Sequence, residues 1–310
     1  MVEGSRRGVG VLGQFTMLAL VWGASFLFIK IGLEGLSPPQ VVLGRLLTGA
    51  AALLVVSLAR HQRPPREPVV RVHLAVVSVL LCVAPFLLFA WAEQHVASGL
   101  ASIYNATTPL MTTLIALLAL PSERPTRTTL SGLLTGFAGV VVVLGPWRGL
   151  TGGDGLGQAA CLAATLCYGV AFVYLRRFVS PRGLAAIPVA TVQVGLGAVI
   201  MLVLAPFTAT APVHLSWRVA GSVAALGVLG TGLAYVWNTN VVSSWGATNA
   251  SAVTYLTPVV GVVLGIVVLG EGLSWNEPLG ALIVIAGIAV SQGRLKALRH
   301  RRASAAEAAT

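Results

Sequence analysis

Two short stretches hold the polar residues best placed to recognise a solute inside an otherwise apolar chain. They are Ser102, Asn105 and Thr108 beside Pro109, and Ser251, Thr254 and Tyr255 beside Pro258. At helical spacing these hydroxyls, the amide and the phenol share a face with the proline. A proline has no N–H to give, so the carbonyl four residues earlier, Asn105 in one stretch and Thr254 in the other, loses its helical donor. In hydrocarbon a freed carbonyl needs another partner or water. Hydrogen bonding between helices around a kink meets that need, and so does a wet, substrate-lining face. Pro85 is a further kink position.

Other residue types extend the candidate set. Trp22 and Phe26, with Tyr168 and Phe172, fall midway along two apolar runs, where their rings serve either stacking on a solute or core packing. Trp237 stands beside Asn238, an amide in need of a partner, at the end of another run. The ionisable residues within the spans are few. Lys30 and Glu34 are four apart and predict a surface ion pair. Arg45 either snorkels outward or joins Glu93 or Glu34 in an outer gate that includes His95. Glu123, Glu271 and Ser274 are assigned to structural turns, because Ser274 to Glu277 has capping-box spacing and Thr126 holds the corresponding place earlier.

No phosphate-cradling loop and no acidic cluster suited to magnesium is present, so the expectation is no catalytic residue, no metal and no cofactor. Cys82, Cys161 and Cys167 lie inside apolar runs with no metal-ligand or disulfide spacing. The midplane offers no carboxylate, which argues against a proton pump built on a buried acid at that depth.

The elements that must position these residues follow from composition. The chain has 310 residues, 56% hydrophobic and 9% charged, with a mean hydropathy of +0.88; a soluble domain is about a quarter charged. Apolar runs of bilayer length predict an all-α integral membrane protein of ten helices, near 12–30, 40–59, 73–94, 98–120, 129–147, 157–178, 185–206, 218–239, 247–269 and 276–293. The first run follows Arg6 and Arg7 and reads as an uncleaved insertion signal. The net charge of +11 belongs to loop ends rather than to any groove-reading pattern, which excludes a nucleic-acid partner. Sixteen of the twenty lysines and arginines fall in alternate segments, and this imbalance places both termini in the cytoplasm of a multi-pass cell-membrane protein.

The chain also repeats itself. Ser102, Asn105, Thr108 and Pro109 match Ser251, Thr254, Thr257 and Pro258 at an offset of 149, and Gly23 and Phe26 match Gly169 and Phe172. Each repeat then holds five helices, and an odd number inverts the second copy relative to the first. Inverted repeats exchange conformations and expose one site to each side in turn, which points to a transporter.

With these residues on the page, the sequence resembles the EamA family of the drug/metabolite transporter superfamily. The resemblance is carried by the Trp22 to Phe26 stretch, Arg45, the helices centred on Pro109 and Pro258, the turns Glu123 to Thr126 and Glu271 to Ser274, and glycine-rich helices 5 and 10. It implies export of amino acids, other metabolites or drugs from a cavity lined by helices 1 to 4 and 6 to 9. The organisation expected is a cytoplasmic segment 1–11, repeats at 12–146 and 157–292, and a basic cytoplasmic tail 293–310. A cavity rich in hydroxyls, amides and aromatics suits a neutral or zwitterionic small-molecule substrate. The partners expected are that substrate, the lipid bilayer and a second copy in a homodimer; Gly132, Gly136, Gly139, Gly280 and Gly287 give small faces for close helix packing, dimer contacts included. A lipid-linked intermediate flippase and a non-transporting assembly or sensory protein are the alternative readings.

Overall fold

The computed structural model describes residues 2–119, 126–145, 147, 153–246, 250 and 253–292, with the side chains of 2–9, 153 and 154 left out. All the regular elements among these are helical. They are α1 Val2–Gly32, α2 Pro38–Ala59, α3 Pro68–Ser78, α4 Ala84–Ala92, α5 Ser98–Asn105, α6 Thr108–Ala119, α7 Arg127–Leu144, α8 Gly153–Tyr174, α9 Ala186–Thr208, α10 Trp217–Gly227, α11 Ala234–Trp245, α12 Val253–Leu269 and α13 Asn276–Ser291.

Several joins are helical too. A π turn at Val79–Val83 fuses α3 to α4, and a second at Val228–Leu233 fuses α10 to α11. The first precedes Pro85, whose missing N–H and bulky ring upset the regular ladder just where the extra residue is absorbed. The second holds Gly230 and Gly232 instead of a proline. The two π turns begin 149 positions apart, the offset of the sequence repeat.

Among the described residues seven helices are long and apolar enough to cross a membrane, with 253–269 and 276–291 as shorter apolar helices. The protein is thus an all-helical membrane protein. Leu54, Val55, Leu134, Val203, Val267 and Leu282 stand exposed on its outside, where hydrocarbon would cover them at no cost. The run expected as one helix over 98–120 is divided: α5 ends at Asn105 and α6 starts at Thr108. Pro109 explains the break, and the Thr108 hydroxyl donates to the Asn105 carbonyl at 2.8 Å, so the acceptor the proline frees is satisfied locally.

Helix starts follow local chemistry. Ser37 precedes Pro38 and Pro39, and its N–H donates to Gln40 Oε1 at 2.8 Å. Thr126 caps α7 by accepting from the Thr129 N–H at 3.0 Å, as its place in the sequence predicts. Trp275 caps α13, and the Ser274 N–H donates to Glu277 Oε2 at 3.2 Å.

Helices α1 and α8 make reciprocal contacts. A β-carbon at Gly23 of α1 would lie 2.5 Å from Val260 Cβ on α12, and one at Gly169 of α8 would lie 2.9 Å from the Met111 carbonyl carbon on α6. Met111 and Val260 are again 149 apart. Each glycine therefore lets its helix approach the proline-bearing helix of the other half. Glycines also join α7 to α13: a β-carbon at Gly139 would meet the Val284 nitrogen at 2.6 Å, and one at Gly287 would land on the Gly136 backbone. Asn276 Nδ2 ties the same pair together, donating to the Val142 and Val143 carbonyls at 3.1 Å each. The small faces expected from these glycines thus serve close helix packing within one chain.

Candidate functional site

The π turns provide two sockets. Helix α2 brings Arg45 against the second turn, where its Nε donates to Thr231 Oγ1 at 3.0 Å. Its Cζ stands 3.6 Å from the centroid of the Phe86 ring on α4. Helix α9 brings Gln193 against the first turn, where its Nε2 donates to Cys82 Sγ at 3.3 Å and to the Tyr235 hydroxyl at 3.4 Å. Cys82 and Thr231 are 149 positions apart, and so are Phe86 and Tyr235. The same backbone socket thus receives an arginine in one half and a glutamine in the other.

Depth follows from the helix. Thr231 lies fourteen residues from either end of Trp217–Trp245, or about 21 Å of rise each way. Arg45 is therefore level with the middle of that helix, its side chain turned to Thr231 and Phe86. It joins neither expected partner: Glu34 pairs with Arg218 at 3.2 Å, and both Glu93 carboxylate oxygens are enclosed without a hydrogen bond. The arginine is 9% exposed.

An aromatic chain lies nearby. Phe26 packs edge-on to Phe89 with centroids 5.5 Å apart, and Phe89 lies 6.2 Å from Tyr168. Phe26 and Phe89 are buried, Tyr168 and Trp22 half-buried, and Phe172 is 43% exposed with the outward-facing residues. Trp237 and Asn238 are half-buried on α11.

The proline stretches divide in character. Ser102 is buried, donating to the Gly99 carbonyl at 2.7 Å and set against Gly261 and the Pro258 carbonyl. It is part of a helix contact. Asn105, Thr108 and Thr254 are half-buried. Among the described residues the side-chain amides of Asn105 and Asn238 make no hydrogen bond, which leaves their donors and acceptors for a solute or water. The Tyr255 hydroxyl donates to Gln292 Oε1 at 3.0 Å. Pro258 sits inside α12. Ser251 and Glu123 lie outside the described residues.

A different arrangement ties segments together at the end of the bundle that carries Glu93. Lys30 does not pair with Glu34; its Nζ donates to the Glu93 carbonyl and, at 3.0 Å, to the Val96 carbonyl. These are acceptors left over at a helix C-terminus, where a cation is favoured. Glu271, from the turn after α12, reaches the start of α5: Oε1 accepts from the Ser98 N–H at 2.8 Å, and Oε2 from the Ser98 hydroxyl at 2.8 Å and the Gly99 N–H at 3.0 Å. Gly270, at φ 66°, turns the chain toward that contact. The structural role expected for Glu271 is thus a bond between distant segments. A recess of about 420 Å³ lies beside it, lined by Lys30, Glu34, Glu93, Gln94, Leu269 and Glu271. His95 is outside, its ring 4.5 Å from that of Trp91.

Sequence reasoning missed Phe86, Phe89, Gln193, Thr231 and Tyr235, and took Cys82 for packing alone. The signal was available: the offset of 149, extended to the third and eighth spans, aligns Cys82 with Thr231 and Phe86 with Tyr235. Among the described residues no cluster of His, Cys, Asp or Glu could hold a metal ion.

Comparison with known proteins places this arrangement. The model of the EamA-like transporter family matches residues 11–145 and again 155–292. The inner membrane transporter YedA of Escherichia coli is 29% identical over 292 residues, 93% of each chain. A probable terminal-alkyne amino-acid exporter of Streptantibioticus cattleyicolor is 27% identical over 295 residues, 93% of this chain and 95% of that one. A solved crystal structure aligns with a TM-score of 0.67 at 19% identity, covering 94% of this chain and 99% of the other, a likeness of fold alone.

Proposed function

The chain belongs to the EamA-like transporter family, and from that premise we propose that it exports a small neutral or zwitterionic solute by alternating access between two inverted five-helix repeats. That it is a transporter follows from the family and from relatives that carry that description. The solute class and the mechanism are our reading. A single observation supports the mechanism: the reciprocal packing of Gly23 on α12 and of Gly169 on α6, at partners 149 residues apart. Two equivalent contacts of this kind let one half take up the arrangement of the other, which is how a repeat pair moves a central site from one face to the other. The half-buried amides, hydroxyls and rings of Asn105, Thr108, Thr254, Trp22, Tyr168, Trp237 and Asn238 then supply the solute's polar and apolar contacts.

In this reading both termini are cytoplasmic, and the end bearing Lys30, Glu93 and Glu271 faces outward. Export, rather than uptake, is supported by the description of the Streptantibioticus cattleyicolor relative. The test compares small molecules outside cells that overproduce the protein with those outside cells making an Asn105→Ala/Thr254→Ala variant at equal membrane abundance. An excess of one solute class with the intact protein alone is the expected result. Equal efflux from intact and variant protein would overturn the site around Asn105 and Thr254, and no excess from either would overturn export.

A further inference from the structure

We propose that Arg45 is a carboxylate-binding residue, and that the solute carries one carboxylate on an apolar or aromatic body. The proposal rests on the transporter reading above and names the chemistry of its site.

The side chain is 91% buried by the exposure given above, and it is only partly engaged. Its Nε is used on Thr231 and its flat face on Phe86. The two terminal nitrogens donate no hydrogen bond among the described residues, and they are not among the sealed, orphaned atoms of the fold, such as the Glu93 oxygens. Each therefore keeps some accessible surface, in line with the 9% exposure of the residue. A buried guanidinium with no carboxylate in ion-pair contact leaves a large desolvation cost uncompensated. Its terminal N–H pair is a planar fork that fits the two oxygens of a carboxylate side by side. Thr231 and Phe86 fix the orientation of that fork before a solute arrives, which lowers the entropy lost on binding.

A phosphate would fit the same fork, so the surroundings decide. The titratable groups around the guanidinium are Tyr168, Cys82, Tyr235 and Glu93, with no second cation. Lys30 is committed to backbone carbonyls, and the corresponding socket of the other half holds uncharged Gln193. One positive charge suits the single carboxylate of a zwitterion better than a phosphate carrying nearly two negative charges. Phe86 lies under the fork, and Phe89, one helical turn along α4, leads to Phe26 and Tyr168. A carboxylate on Arg45 would thus place the rest of the solute beside aromatic rings.

The experiment uses the full-length protein purified in detergent. Binding is measured by equilibrium dialysis for phenylalanine and straight and aryl-substituted monocarboxylates of graded length, with the amide of each and with phenyl phosphate. The expected result is that acids bind about tenfold or more tightly than their amides, as loss of charge-assisted hydrogen bonds requires. Arg45→Gln should erase the difference and Arg45→Lys should retain part of it. The acid-to-amide ratio of the intact protein needs no variant, so a folding defect in either substitution leaves the test standing. Equal binding of acids and amides, tighter binding of phenyl phosphate than of any acid, or no binding across the panel would each overturn the proposal. The export comparison is scored separately, so a transporter without this site remains distinguishable from a protein that exports nothing.

Discussion

Glu271 joins a turn near the end of the second half to the first residues of α5, and its removal gives a prediction with a calculable size. Its carboxylate accepts three hydrogen bonds, two from backbone N–H groups at a helix start and one from the Ser98 hydroxyl. Hydrogen bonds to a charged group contribute about 1.5 to 3 kcal/mol each when buried, and cap losses about 0.5 to 2 kcal/mol. The contact is partly buried, and glutamine can still offer one oxygen. Glu271→Gln should therefore weaken it by about 2 to 3 kcal/mol, not by the full sum. In the proposed mechanism this contact holds the outward end closed, so the open population rises by roughly 30- to 150-fold. A cysteine at Ser102 reports on it, because that side chain is sealed between α5 and Gly261. In a background lacking half-buried Cys167, Ser102→Cys should react with an impermeant maleimide faster by about that factor when Glu271→Gln is added. A change smaller than about threefold, well short of the range for even one charged hydrogen bond, would refute the reasoning.

Three further predictions concern packing and charge. Gly287→Ala places a methyl group on the Gly136 backbone and should lower stability by about 1 to 3 kcal/mol, while Gly195→Ala, which meets nothing within 4 Å, serves as control; equal melting temperatures in detergent would contradict the close α7–α13 contact. Glu93→Gln should leave the melting temperature unchanged or higher, because neither carboxylate oxygen has a partner to lose; a fall of several degrees would show that the carboxylate is bound by a group the fold does not place there. Thr126→Ala removes the bond from the Thr129 N–H and should cost about 0.5 to 2 kcal/mol, read as a lower melting temperature that Thr126→Ser restores.

Much of the architecture was legible because a bilayer imposes it: apolar runs, turn signals and charged ends mark spans without any knowledge of contacts. Boundaries were less so, since Pro109 divides a helix and the π turns join others where composition is continuous. The site was legible by residue type and hardly at all by pairing. Lys30 and Glu34 have the spacing of a helical ion pair, yet Lys30 goes to two backbone carbonyls, and carbonyls have no letter in a sequence. Arg45 and Thr231 are 186 positions apart, beyond the reach of any local period. What bridges that distance is the repeat, which matches Thr231 to Cys82 and Phe86 to Tyr235 once it is carried past the two proline stretches.

The features that recur at that offset are mainly matters of shape: the π turns and the neighbours of Gly23 and Gly169. In the proposed mechanism the two halves trade places, which needs contacts equally favourable in either arrangement, and glycine packed on an apolar helix meets that need without specifying charge. The socket residues recur in position and diverge in chemistry, with arginine over Phe86 on one side and glutamine against Tyr235 on the other. A solute has no such symmetry. If the site carried a cation in both sockets, two charges would face each other in a medium of low dielectric, and the empty site would be costly to assemble. Under the carboxylate proposal, a single arginine limits that cost and gives a bound solute only one orientation. The functional asymmetry of the protein is therefore expected at Arg45 and Gln193, where the repeat holds the backbone in register and lets the side chains differ.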